Sequence, residues 1–364
     1  MIPSSINSSD SRAAGAPSIA DMQEAVSALL ANGKGILAAD ESLPSIDRLF
    51  ALHHIESTEE NRRMYRTLLF SSPELGRRIS GVILFEETLR QRMNDGTPVP
   101  MYLRRCGMVP GIKVDRGLLP FTGMDGEQRT EGLGGLLERL EEYRRSGARF
   151  TKWRSVLRVG NGLPSDACIR ENAVGLASFA LWSQEAGLVP LVEPEVLMDG
   201  DHSLEECEAG TTRVLKGVFA ALAERGVNLQ RLILKTGMVV SGRTCLNQAS
   251  DLLVTEATLR CLGRSVPAAV PGIVFLSGGQ GEVEATRRLD GICRANTGPW
   301  KLTFSFGRAL QSTAMRVWGG RQENIAAAQQ ALLLRADWNG LATEGRYSTL
   351  MERERLGSLP SRKH

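Results

Sequence analysis

Histidine is scarce in this 364-residue chain, with four residues and no HxxxH or HxH pair among them. The adjacent His53 and His54 would point about 100° apart on a helix, so they cannot share one metal ion. Six cysteines (Cys106, Cys168, Cys207, Cys245, Cys261, Cys293) are scattered without a CxxC pair. Neither a zinc-type site nor a disulfide framework is expected, and the thiols read as reduced and cytosolic. An excess of one charge is also lacking: 44 basic against 41 acidic side chains leave +3. So small an excess gives no strong pull toward nucleic acid or an anionic membrane. No run of eighteen apolar residues occurs, and Ala173–Trp182 and Val266–Leu276 are short or broken by proline. A membrane span is therefore not expected. Met1–Ser18, rich in Ser, Asn and Ala, has no apolar h-region. It reads as a disordered lead-in and not as a secretory signal, which leaves the sequon Asn7-Ser8-Ser9 without meaning.

What is present is an ordinary globular proportion of apolar residues, 42%. That suffices for one large barrel or two average domains and excludes disorder as the dominant state. Short β-rich runs alternate with longer helical stretches. Met22, Val26, Leu29 and Leu30 sit at helical spacing between a possible Ser18 N-cap and a stop at Gly33. The runs are Gly35–Asp40, Gly81–Glu86, Gly111–Asp115, Arg149–Arg154, Leu188–Glu195, Arg231–Lys235, Gly272–Ser277 and Lys301–Phe306. Between them lie segments such as Leu133–Tyr143, with an apolar stripe of Leu133, Leu136, Leu137, Leu140 and Tyr143. Eight such units are the count of a (β/α)₈ TIM barrel, with a doubly wound sheet as competitor. Nearly every run ends in a charged or hydroxyl residue. Barrel sites are assembled from the C-terminal ends of many strands, whereas a doubly wound sheet concentrates them at one or two loops. A single-domain α/β barrel is the preferred reading.

Lys113, Lys152 and Lys235 lie in strand-like, otherwise apolar contexts. Lysines crowded at a strand-end rim depress one another, and a neutral amine can attack a ketone to form a Schiff base. Lys235, preceded by Leu232-Ile233-Leu234 without a polar break, is the candidate nucleophile. Alternation puts Lys152 with Arg154, and Glu193 with Glu195, each on one side of a strand. Such carboxylates could divide proton-transfer work, one raised and one kept ionised, or could form a structural ion-pair network. Ser277-Gly278-Gly279-Gln280-Gly281 follows the seventh run, where barrels often place a phosphate site, and Arg308 in Phe306-Gly307-Arg308 is near in that topology.

These residues belong to longer motifs. GILAADES (Gly35–Ser42), ENRR (Glu60–Arg63), GVILFEETL (Gly81–Leu89), GIKVD, KWR, VEPE with DGDH (Asp199–His202), LSGGQ (Leu276–Gln280), TFSFGRALQ (Thr303–Gln311) and WGG (Trp318–Gly320) occur in collinear order from about residue 20 to 347. The chain resembles class I fructose-bisphosphate aldolases. The resemblance implies a metal-independent (β/α)₈ lyase without cofactor, usually a cytoplasmic homotetramer. It would cleave fructose 1,6-bisphosphate through a lysine Schiff base, with sugar phosphates as its ligands and neither nucleic acid nor membrane as partner. It implies Lys235 as the Schiff-base lysine and Glu193 as the acid/base that dehydrates the carbinolamine. Asp40 and Lys152, with Glu195 beside them, would position hydroxyls and assist cleavage. Lys113 and Arg154 would contact the distal part of the substrate, with Ser42 and Ser45 in the binding site. Ser277, Gly278, Gly279, Gly307 and Arg308 would bind the 1-phosphate. Residues 1–17 would be the disordered lead-in, 18–345 the barrel and 346–364 a flexible tail.

Three positions depart from the family pattern. Lys235 is flanked by Leu229-Gln230-Arg231 and Thr236-Gly237 in place of the usual Glu-Gly and Pro-Asn or Pro-Ser. A second basic residue after GILAADES falls on Leu49, with Arg48 kept. The chain ends Ser361-Arg362-Lys363-His364 where vertebrate-type members end in tyrosine, and Tyr347 matches a different family position. Slower enamine protonation is the expectation from the last. Two alternatives follow: a degenerate aldolase serving as a binding scaffold, or a preference for fructose 1-phosphate or sedoheptulose bisphosphate.

Overall fold

The computed structural model describes residues 19–123 and 125–356. Eight parallel strands close into a barrel: β1 (Gly35–Ala39), β2 (Ile79–Leu84), β3 (Val109–Lys113), β6 (Phe150–Leu157), β7 (Val189–Val196), β8 (Ile233–Thr236), β9 (Gly272–Phe275) and β10 (Lys301–Phe306). Each coincides with one of the eight runs. The two remaining strands, β4 (Leu118–Pro120) and β5 (Gln128–Thr130), form a small antiparallel hairpin between β3 and β6. Closure is made by β1 against β10, with Ile36 opposite Ser305 and Leu37 opposite Phe306. Helices link the strands and lie outside the sheet, as short parallel strands buried on both faces require. Strands β1, β2, β8 and β9 are accordingly buried at every position.

Two cores result. The larger fills the layer between sheet and helices and includes Phe50, Tyr65, Trp153, Phe179, Phe304 and Trp318. The smaller lies inside the barrel, with Ile36, Phe150, Val189 and Ile233 toward the N-terminal ends of the strands and Ala38, Ile83, Leu191 and Val274 farther along them. Met22, Val26, Leu29 and Leu30 join this inner cluster, so the helix Ile19–Leu29 plugs that end. Its apolar stripe thus covers the barrel floor. Gly81 and Gly111 make room for the floor: a Cβ at 81 would collide with Leu29, and one at 111 with the Phe150 ring.

Two expectations need adjustment. Residues 346–364 were expected as a flexible tail, but a helix runs from Thr349 to Leu356. It is held because Glu352 is buried in an ion pair with Arg335 at 2.6 Å and accepts the Tyr347 hydroxyl at 2.6 Å. The Leu133–Tyr143 stripe also narrows: the helix is Leu136–Arg145, its core face is Leu136, Leu140 and Tyr143, and Leu137, about 100° round the helix from Leu136, faces solvent. The lead-in and the last eight residues lie outside the described residues.

Candidate active site

Alternation puts every second residue of a strand inside the barrel, and along those inward positions the residues change from apolar to charged. On β6 the inward positions read Phe150, Lys152, Arg154; on β7 they read Val189, Leu191, Glu193, Glu195. The first members pack the floor, and the last project into a cavity of about 1250 Å³ at the C-terminal ends of the strands. Asp40, Lys113, Lys152, Arg154, Glu193, Glu195 and Lys235 all line this cavity.

At its base the charges are paired. Lys152 Nζ lies 2.7 Å from Asp40 Oδ2 and 3.1 Å from Glu193 Oε2. Lys235 Nζ lies 3.1 Å from Glu193 Oε1, so one carboxylate bridges two ammonium groups. Lys235 and Glu193 are each 3% exposed and Lys152 4%. Toward the rim, Arg154 pairs with Glu195, and Lys113 Nζ with Asp115 Oδ1 at 2.5 Å. Four cations thus face four carboxylates. Removing one member would strand a buried charge, which is why such clusters are costly to break.

Those pairings set the protonation states. Burial alone would raise the Asp40 carboxyl, but Lys152, Lys235 and Lys113 together hold it below its ordinary value. Glu193 is likewise held down against burial, by Lys152, Lys235 and Arg154. Burial would lower Lys152, yet Asp40, Glu193 and Asp115 lift it well above the ordinary lysine value. Two expectations are corrected here. Lys152 is not depressed by its lysine neighbours, because carboxylates stand between them. Glu193 is not raised by Glu195 beside it on the strand, because cations face it.

The remaining candidates ring the mouth. Ser42, Ser45, Ser277, Gly278, Gly307 and Arg308 line the cavity. Ser42 and Ser45 hydroxyls lie 3.2 Å apart, and Arg48 Nη2 donates to Ser45 Oγ at 3.4 Å. Gly279 does not line the cavity: its φ is +93°, and a Cβ there would meet Arg243 behind the loop. The loop is fixed from below, since Gln280 Nε2 donates to Ser277 O at 3.1 Å and Arg288 Nη1 to Gln280 Oε1 at 2.9 Å. It leads into the helix Glu282–Ala295, while Arg308 opens the helix Arg308–Trp318. Leu49 and Arg48 also line the mouth.

Sequence reasoning passed over three groups. Asp115 ends the GIKVD run and fixes both Lys113 and the backbone N–H of Arg154; its place at a strand end was the available signal. Ser305, inside TFSFGR, lines the cavity, and its buried hydroxyl has no hydrogen-bond partner among the described residues. Gln311 donates to Ala38 O at 2.7 Å and Glu41 Oε1 at 3.2 Å, bracing β1 just before Asp40. No group of three or more His, Cys, Asp or Glu with metal-holding geometry occurs among the described residues. No helix among them is long and apolar enough to cross a membrane.

A closed eight-stranded barrel whose mouth holds a buried lysine on a bridging glutamate, with a glycine loop after the seventh barrel strand, defines a class of lysine-centred (β/α)₈ proteins. Comparison with known proteins narrows the class. The family described as "Glycolytic: Fructose-bisphosphate aldolase class-I" matches residues 21–359. A probable fructose-bisphosphate aldolase class 1 of Xanthomonas campestris pv. campestris is 50% identical over 331 residues, 91% of this chain and 99% of the relative. The cytosolic fructose-bisphosphate aldolase 6 of Arabidopsis thaliana is 50% identical over 316 residues, 86% of this chain and 88% of its own length. A solved fructose-bisphosphate aldolase of Plasmodium falciparum superposes with a TM-score of 0.89 at 47% identity, covering 90% of this chain and 95% of that one. The chain belongs to the class I fructose-bisphosphate aldolase family.

Proposed function

We propose that the protein is a lyase that reversibly cleaves fructose 1,6-bisphosphate to dihydroxyacetone phosphate and glyceraldehyde 3-phosphate through a Schiff base on Lys235. The observation that carries this reading is the Lys235–Glu193 contact of 3.1 Å at the base of the mouth. Glu193, kept ionised by its cations, accepts a proton from the Lys235 ammonium, and the free amine attacks the substrate ketone carbon. The attacking nitrogen, now cationic, gives up a proton and the former carbonyl oxygen takes one up, which yields the neutral carbinolamine. Protonated Glu193 then returns its proton to that hydroxyl, and water leaves to form the iminium. The iminium draws the electrons of the neighbouring C3–C4 bond as the C4 hydroxyl loses its proton, releasing the aldehyde and leaving an enamine. Protonation of the enamine and hydrolysis return Lys235.

Asp40, ionised and paired with Lys152, stands within the same cluster and fits the role of holding the reacting hydroxyls. The 1-phosphate falls to Ser277, Gly278, Gly307 and Arg308, where a glycine turn and the N-terminus of the helix Arg308–Trp318 both line the cavity. Gly279 would serve by letting that turn form. Lys113, Arg154, Ser42 and Ser45 take the distal part of the substrate. Family likeness supports a cytoplasmic homotetramer. Borohydride reduction in the presence of dihydroxyacetone phosphate tests the reading. A mass increment on the peptide carrying Lys235 supports it, and label on another lysine, or none, overturns it.

A further inference from the structure

Among the described residues, arginines without an ion-paired carboxylate form groups at two places of interest. One is the mouth, where Arg48, Arg116 and Arg308 line the cavity already described. The other is at the opposite end of the barrel. Arg104 and Arg105 end the helix Val99–Arg105 that feeds β3, and Arg144 and Arg149 flank the turn that feeds β6. The two segments touch, since a Cβ at Gly147 would lie 2.9 Å from Pro100 Cβ.

Arg149 Nη1 donates only to backbone oxygens, Ala148 O at 2.8 Å and Arg144 O at 3.4 Å. Among the described residues, the side chains of Arg104, Arg105 and Arg144 make no hydrogen bond and none of the four guanidiniums is ion-paired. Of the acids on this face, Glu141 pairs with Arg145 at 3.1 Å and Glu142 with Arg90 at 2.7 Å, while Asp95 feels Arg105 without forming an ion pair with it. Asp21 on the plug helix is the carboxylate that acts on Arg149, without reaching it as an ion pair. Burial first, then Arg104 and Arg144, press the Arg149 guanidinium below its ordinary value against a partial offset from Asp21, so like charges are held close here. Beside this cluster runs a groove of about 510 Å³, lined by Pro98, Pro100, Met101, Arg104, Arg105, Ser146 and Gly147.

Guanidiniums are the side chains best matched to phosphate oxygens, by charge and by their fork of N–H donors. The groove has the size of a small-molecule site. We infer that the N-terminal face of the barrel holds a second anion site, formed by Arg104, Arg105, Arg144 and Arg149, for a small molecule carrying two or more linked phosphates. It lies at the closed end of the barrel, away from the cavity holding Lys235, so its occupancy does not depend on the proposed chemistry. The linked phosphates could come from a free polyphosphate or from a nucleoside triphosphate, whose flat base would lie on Pro98, Pro100 and Met101.

Titration calorimetry of the full chain with tripolyphosphate, and separately with ATP, both without divalent cations, tests the site. The wild type should show two binding events. Arg104→Ala/Arg105→Ala should lose one and keep the other, while Arg308→Ala does the reverse. Arg105→Gln, a change at an exposed side chain, should weaken the first event by roughly tenfold, the scale of one charge-assisted hydrogen bond. ATP binding tenfold tighter than tripolyphosphate assigns the site to nucleotides, and equal affinity assigns it to free polyphosphate. An isotherm unchanged by Arg104→Ala/Arg105→Ala and by Arg105→Gln overturns the inference.

Discussion

The two ends of the barrel are built from the same eight strands yet solve opposite problems. At the floor, Phe150, Val189, Leu191 and Ile233 meet the plug helix in an interior without charge. Two residues farther along the same strands, Lys152, Glu193 and Lys235 are as deeply buried but ionic. Apolar burial at the floor stabilises the fold by roughly 25 cal/mol per Å² removed from water. The ionic layer above it gives little net stability, because desolvation offsets the attraction between the paired charges. The lesson is a division of labour along each strand: the floor holds the barrel shut, and the mouth keeps reactive groups in place on that support.

Substitutions can break this comparison. Lys235→Met should lower turnover of fructose 1,6-bisphosphate by roughly 10⁴-fold or more, the scale seen when a covalent nucleophile is removed; the fold should stay intact, with the melting temperature lowered because Glu193 keeps only Lys152 of its two ammonium partners. Initial rates and thermal unfolding check it, and a variant within tenfold of the wild-type rate places the nucleophile elsewhere. Glu193→Gln should cost roughly 10²–10⁴-fold in turnover, the usual worth of a positioned proton-transfer group, read as a fall in kcat. Phe150→Ala should act in the opposite sense, destabilising the fold by about 3–5 kcal/mol in urea unfolding. Its folded fraction should keep kcat within a few-fold. A Phe150 variant that loses kcat without losing stability would show that floor and mouth are not separable.

The pH dependence of stability sharpens the same contrast. Asp40 and Glu193 have folded values below their ordinary ones. Their contribution is therefore complete above about pH 5, past the ordinary carboxyl values, and is lost as pH falls through the depressed ones. Lys152 is shifted up, so its part is complete below about pH 10 and is lost only as pH rises through the raised value. The melting temperature of wild type minus that of Glu193→Gln should thus be flat between those limits and shrink on the acid side. A difference that grows as pH falls would contradict the assignment. The smallest effect belongs to Tyr347→Phe, which removes one hydroxyl donor from the buried Glu352. It should cost about 1 kcal/mol in unfolding, with no change in KM.

Much of this was legible in the primary structure. Eight apolar runs of similar length, each closing on a polar residue, read directly as eight strands, because parallel barrel strands are short and buried on both faces. Lysines and glutamates two apart fell on one side of a strand by alternation alone. What was not legible depends on contacts across the barrel. The apolar stripe of Met22, Val26 and Leu29 shows that a helix has a buried face, but not that this face covers a barrel floor. The β4–β5 hairpin is too short to carry a period. The direction in which Lys152 shifts is set by Asp40, which stands 112 positions earlier in the chain and 2.7 Å away in space. The helix Thr349–Leu356 is tied down through buried Glu352, which meets Arg335 and the Tyr347 hydroxyl, a contact that no periodicity in the sequence announces.

The pairing of β1 with β10 has a consequence for how the protein is made. Gly35 to Ala39 leave the ribosome first among the strands, yet their second neighbour is not synthesised until residues 301–306. At usual translation rates of about 5–20 residues per second, one edge of β1 waits on the order of tens of seconds for its partner. During that interval Thr303 has not yet reached Lys34 O, nor Lys301 Asn32, the two side-chain contacts that tie the last strand to the segment leading into the first. Asp40 closes β1, so its approach to Lys152 is also set only when the ring of strands is complete. Enzymatic activity on a nascent or refolding chain is therefore a clock for ring closure, starting late and all at once, well after most helices have formed.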